Sequence, residues 1–205
     1  MYDTFIAKLN GDGDVQWAKS VGGSSNEFIS AIDMDAGNRI FAASYFYSPQ
    51  IIVEDITIIN SGSPDTFTAM FNADGDVHWA FGLDGAGSTS EIPRELAVSD
   101  AGQCLVSGVF GSSIEIGSFS FVNSGGDDAF LTLLDQNGAV QWTQALLTPS
   151  YESTSDLEFT DEQHFYCAGQ FESPTLTIGD ETLTNAGSAG YDVFLAYFQI
   201  NGATD

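Results

Sequence analysis

The sequence predicts an all-β fold, a β-propeller-like array of antiparallel blades with about three repeats of roughly 63 residues and part of a fourth. Three observations carry that expectation. One segment recurs along the chain, Asx-Gly pairs punctuate runs rich in β-branched and aromatic residues, and no window sustains a 3.6-residue apolar period with helix caps.

The recurring segment first reads Asp3-Thr4-Phe5-Ile6-Ala7-Lys8-Leu9-Asn10-Gly11-Asp12-Gly13-Asp14-Val15-Gln16-Trp17. It returns from Asp65-Thr66-Phe67 to Val77-His78-Trp79, and from Asp128-Ala129-Phe130 to Val140-Gln141-Trp142. A fourth copy opens at Asp192-Val193-Phe194 and runs to Asn201-Gly202. The units are residues 1–63, 64–126 and 127–190, with 191–205 starting a fourth. Asp12-Gly13, Asp74-Gly75, Asn137-Gly138 and Asn201-Gly202 suit the positive φ angles of tight hairpin turns, so the first two strands of each complete unit are expected to form a hairpin. A second strand pair follows, 29–33 with 38–46, 95–99 with 103–110, and 156–160 with 163–171. In 40–46 and 104–110 apolar or small residues hold both parities, which predicts strands buried on both faces. A third pair covers 51–59, 114–122 and 176–183, and each unit closes on Asn-x-Gly at Asn60, Asn123 and Asn185. One unit thus holds about six short strands, and sheets covered on both sides by copies of themselves are what stacked repeats produce.

The pattern Asp-x-Phe, then Asx-Gly-x-Val-Gln/His-Trp, with Gly22-Gly23 after the first tryptophan and Asp-Ala-Gly turns at Asp35 and Asp100, resembles the SBBP-type bacterial β-propeller repeat. The resemblance spans essentially the whole chain. It implies a propeller-like fold within a secreted or cell-surface protein, and it carries no catalytic motif. This sequence departs from the family where the lysine after Phe-x-Ala survives only as Lys8, replaced by Met70, Leu133 and Tyr197, and where the third unit reads Asp161-Glu162-Gln163 without glycine. Three units and a remnant are fewer than the four to eight blades that close a propeller, so the chain is expected to be a segment of a longer protein; the alternative is two copies making a six-bladed ring.

Composition narrows the partners. The chain of 205 residues carries 29 acidic side chains against four basic ones, Lys8, Lys19, Arg39 and Arg94, for a net charge of −25. So anionic a surface repels nucleic acid and acidic lipid, while 43% apolar and 13% aromatic content is too high for a disordered acidic tail. No run approaches 18 apolar residues, and Met1-Tyr2-Asp3 does not open an export signal, so no membrane insertion is expected and any such signal is removed or lies outside this piece. The remaining partners are a protein or a surface glycan, further repeats, or other copies of the chain.

The candidate ligand-binding residues are Trp17, Trp79 and Trp142, one per complete unit, whose indoles would stack on sugar rings if they shared an open surface; packing between blades is the default. Asp12, Asp14, Asp74 and Asp76 bring oxygens to tight turns and are the candidate calcium ligands, although the spacing is not that of an EF-hand and the third unit keeps only Asp135 and Asn137; solvated turns are the default, with no cofactor. Asp3, Asp65, Asp128 and Asp192 are expected to accept backbone N–H groups where each first strand begins. His78 and His164 stand at unmatched positions, and no His-x-x-His, Cys-x-x-Cys or nucleophile-elbow spacing occurs. Cys104 and Cys167, in equivalent strands of neighbouring units, are expected to be buried thiols, with a cross-blade disulfide as the alternative. The function these residues predict is a non-catalytic extracellular structural or interaction module; the alternative is a carbohydrate-binding or carbohydrate-processing propeller.

Overall fold

The structure, a computed structural model, describes residues 1–62, 64–86, 91–187 and 190–200. Among these residues all regular structure is β, and every strand pairing is antiparallel.

The chain opens with a hairpin of β1 (Thr4–Leu9) and β2 (Val15–Val21). The first sheet follows, in the order β3 (Glu27–Met34), β4 (Ile40–Phe46), β7 (Asp65–Phe71) and β8 (Val77–Gly82). The second runs β10 (Glu91–Val98), β11 (Cys104–Phe110), β14 (Asp128–Leu134), β15 (Val140–Leu146). The third has β16 (Glu152–Asp161), β17 (His164–Phe171) and β20 (Asp192–Gln199). Between the second and third strand of each sheet the chain makes a small hairpin: β5 (Gln50–Val53) with β6 (Ile56–Ile59), β12 (Ser113–Ile116) with β13 (Phe119–Val122), and β18 (Thr175–Ile178) with β19 (Glu181–Thr184). A short β9 (Asp84–Ala86) joins the edge of β12.

The sheets are out of phase with the sequence repeat. Each four-stranded sheet takes its first two strands from the second strand pair of one unit and its last two from the opening hairpin of the next. Neighbouring units are therefore joined by backbone hydrogen bonds, as where Ala42 pairs with Ala69 and Val106 with Thr132.

Successive sheets lie face to face: β10 packs on β3, β4 and β7, and β16 on β10, β11 and β14. The N-terminal hairpin lies against the first sheet through Ile6 and Val21, which meet Phe46, Phe67 and Phe71. Between the first and second sheets, Phe41 and Met70 meet Cys104, Phe130 and Leu134. Between the second and third, Leu105, Leu131 and Leu133 meet Phe165, Phe194 and Phe198. The small hairpins plug these interfaces, with Ile51 in the first, Ile114 in the second and Leu176 in the third, all fully buried. The mixed parity of β4 and β11 is explained: in β11, Cys104 and Val106 face the first sheet while Leu105 faces the third, and every residue of the strand is buried. Such a strand has no solvent face to be polar.

The opening-hairpin turns are built as expected. Gly13, Gly75 and Gly138 have φ of 89°, 88° and 81°, and each turn is flanked by a bulge where its strands leave register. The turn expected at Asn201-Gly202 lies outside the described residues.

Candidate functional site

The tryptophans join units. Trp17 donates its indole N–H to the carbonyl of Ala73 at 3.1 Å, and its ring lies over Gly75, so that a Cβ there would stand 2.7 Å from Trp17 Cδ2. Trp79 repeats the arrangement one unit on, donating to Gln136 O at 3.1 Å and covering Gly138. Each indole thus clasps the opening-hairpin turn of the following unit, and Lys8 adds a second hydrogen bond to Ala73 O at 2.9 Å. Trp142 is half-buried against Phe165 and Phe198, with ring centroids 5.9 and 6.2 Å away. The structure does not gather the three indoles on one open surface.

The candidate calcium ligands sit on two separate turns and are exposed. In each, the asparagine closes the loop: Asn10 Oδ1 accepts from the N–H groups of Asp12 and Asp14 at 3.0 and 2.8 Å, and Asn72 Oδ1 from those of Asp74 and Asp76 at 2.9 Å. Asp14 and Asp76 receive the asparagine amides, and Asp76 lies 3.8 Å from Lys19 Nζ. That ammonium, whose main partner is Glu54 at 2.8 Å, stands beside Asp76 where a metal ion would add like charge. Among the described residues no three His, Cys, Asp or Glu side chains are arranged to hold a metal ion.

A second set of clasps joins the turns of the inner strand pairs. Arg39, ion-paired with buried Asp35, lies across Gly102 and donates to Ala101 O at 3.3 Å. Glu162 accepts from Ser99 Oγ at 2.6 Å and from Ala101 N at 3.0 Å. Glu162, in the turn of the third unit that lacks glycine, therefore binds the neighbouring turn.

At the opposite end of the strands lies a feature the sequence reading missed. Asp65, Asp128 and Asp192 do what was expected, accepting from the N–H groups of Ser61, Ser124 and Ala186 at 2.6, 2.7 and 2.6 Å. Beside them, however, Glu27, Glu91 and Glu152 begin the first strand of each sheet and are buried almost completely. Glu27 accepts from Ser48 Oγ and from Gly23 N at 3.1 Å. Glu152 faces the hydroxyls of Thr148 and Ser173 and the carboxyl of Asp128; burial pushes its carboxyl up to about 7, Asp128 adding to the rise and the hydroxyls opposing it. The signal was present as Phe-x-Ser at Phe46-Tyr47-Ser48 and Phe171-Glu172-Ser173, one repeat feature among many serines.

The thiols are free. Cys104 faces the core between the first and second sheets, Cys167 that between the second and third, so the second sheet separates them. Burial raises both, Cys167 to about 12, which keeps them protonated and weakly nucleophilic. His164 is held by Asp161 at 2.8 Å and stacks on Tyr197 with ring centroids 5.4 Å apart, while burial, then Asp156, raises Glu95. An open cleft of about 310 Å³ is lined by Tyr2, Asp3, Phe5, Glu27 and Phe28 among others.

The chain matches no protein-family model, and no curated protein matches it.

Proposed function

We propose that this chain is a non-catalytic structural and interaction module, a propeller-type array of blades belonging to a secreted or cell-surface protein of the kind its repeat resembles. The observation that carries this reading is the use of the repeated tryptophans and of polar side chains in the turns. Trp17, Trp79, Arg39, Ser99 and Glu162 are engaged between successive units and hold them together. The propeller arrangement is supported by β3, β10 and β16, each first in its sheet and each packed beside the next. The reading needs no cofactor, and its partners are proteins or surface glycans.

Two measurements test it. Protease treatment of intact producing cells is expected to release peptides of this chain; confinement of the chain to the cytoplasm overturns the extracellular assignment. Turnover assays on a panel of aryl glycosides are expected to show none, and hydrolysis above a heat-denatured control overturns the non-catalytic assignment.

A carbohydrate-binding reading is favoured by one feature, the cleft in which Tyr2, Phe5 and Phe28 stand beside Asp3 and Glu27. Glycan-array retention that is lost in Phe28→Ala would replace the primary reading with this one.

A further inference from the structure

The two end faces of the stack are halves of an interface that the molecule makes three times internally. In the first sheet, Thr66, Thr68, Met70 and Phe41 share the face turned to the second sheet, and none is more than 2% exposed. Their counterparts in the second sheet, Ala129, Leu131, Leu133 and Leu105, are fully buried against the third. The same positions of the third sheet are Val193, Leu195, Tyr197 and Tyr166, exposed by 83%, 70%, 56% and 42%. The opposite end mirrors this. Phe67 and Phe71, Phe130 and Leu134, and Phe194 and Phe198 form the other side of the core interfaces and are all buried, whereas their counterparts in β1, Phe5 and Leu9, are exposed by 73% and 53%. Apolar side chains grouped in this way on a soluble surface mark an interaction site.

We propose that the chain associates head to tail with a second copy, the open face of the third sheet in one molecule packing on the open face of the N-terminal hairpin in the next. The occupant follows from continuity with the internal interfaces. What covers Leu131 and Leu133 is a strand presenting Phe194 and Phe198, and on a second copy the strand that presents phenylalanine and leucine at those positions, unobstructed, is β1. The two tyrosines put hydroxyls where the internal faces carry Phe41 and Met70 or Leu105 and Leu133, which suits a surface that is also solvated. Two different patches meet, so the contact is heterologous and propagates into a ring or a filament rather than stopping at a symmetric dimer. Asp156 and Glu158 border the third-sheet face, and with a net charge of −25 on each copy, salt strengthens the association by screening repulsion. This inference rests on the interaction-module reading and names its partner as the chain itself.

Sedimentation velocity over a range of protein concentrations, at low and moderate salt, tests it. The wild-type chain is expected to show mass growing with concentration and with salt. Phe5→Asp and Leu195→Asp each alter one exposed side chain and are each expected to sediment as monomers with an unchanged circular dichroism spectrum. Mixed in equal amounts they retain one good face each and are expected to form a one-to-one dimer that grows no further. A wild-type monomer at every concentration overturns the proposal, as does association that survives either variant or a mixture that stays monomeric. None of these outcomes bears on the glycoside or cell-surface assays, so failure of self-docking is distinguishable from failure of the module reading.

Discussion

Glu152 shows how a single buried carboxyl responds to its surroundings. An exposed glutamate titrates near 4.5, whereas burial beside Asp128 lifts this one to about 7. The folded state therefore holds a proton that the unfolded chain releases, and the stability this contributes is fully present below about pH 4.5 and lost as pH rises through 7. Glu152→Gln replaces the carboxyl with a neutral group of similar shape. Urea denaturation of the wild type is expected to show stability falling between pH 5 and pH 8, and the variant is expected to lose most of that slope; equal slopes in the two proteins would refute the assignment. Asp128 was expected from its place before the repeated phenylalanine. Its glutamate neighbour was not, because the two carboxyls stand 24 positions apart and only folding brings them together.

At the scale of the element, the opening-hairpin turns separate backbone geometry from packing. Gly13 and Gly138 share a positive φ, but nothing lies within 4 Å of a Cβ at Gly13, whereas one at Gly138 would meet the Trp79 ring at 2.8 Å. Gly13→Ala is expected to cost only the conformational term, roughly 1 to 2 kcal/mol. Gly138→Ala adds displacement of the indole, roughly 1 to 3 kcal/mol more. Chemical denaturation of the two variants checks this, and equal losses would mean that the clasp adds nothing to the turn. Asx-Gly beside an alternating run made the turns legible in the sequence. The indole above the next turn was not legible, since the repetition of Trp17 and Trp79 is equally consistent with an exposed row.

For the whole molecule, charge opposes compactness. With 29 carboxylate side chains and four strong cations, self-repulsion is spread over the surface, and the ion pairs found, Lys19 with Glu54 and Arg39 with Asp35, neutralise little of it. The Debye length shortens from roughly 20 Å to about 4 Å between 0.02 and 0.5 M salt. The melting temperature at low protein concentration, where self-association is minimal, is expected to rise by several degrees over that range. A flat response would show that the acidic side chains are too far apart to repel. The stack itself is held by three apolar interfaces between neighbouring layers, so its stability is a sum of near-neighbour terms, as in other repeat architectures.

By itself the sequence determined the all-β character, the period, the hairpins and their turns, and the burial of β4 and β11 on both faces. These are local properties: positive φ at glycine, side-chain alternation and turn chemistry depend on residues a few positions apart. The tertiary structure decided which strands share a sheet, joining β4 to β7 across one unit boundary and β11 to β14 across the next. It also decided which carboxyls are buried together and which turn each tryptophan covers. Those outcomes depend on contacts some 20 to 60 positions apart in the chain, where a repeated residue announces a repeated environment without saying which neighbour creates it.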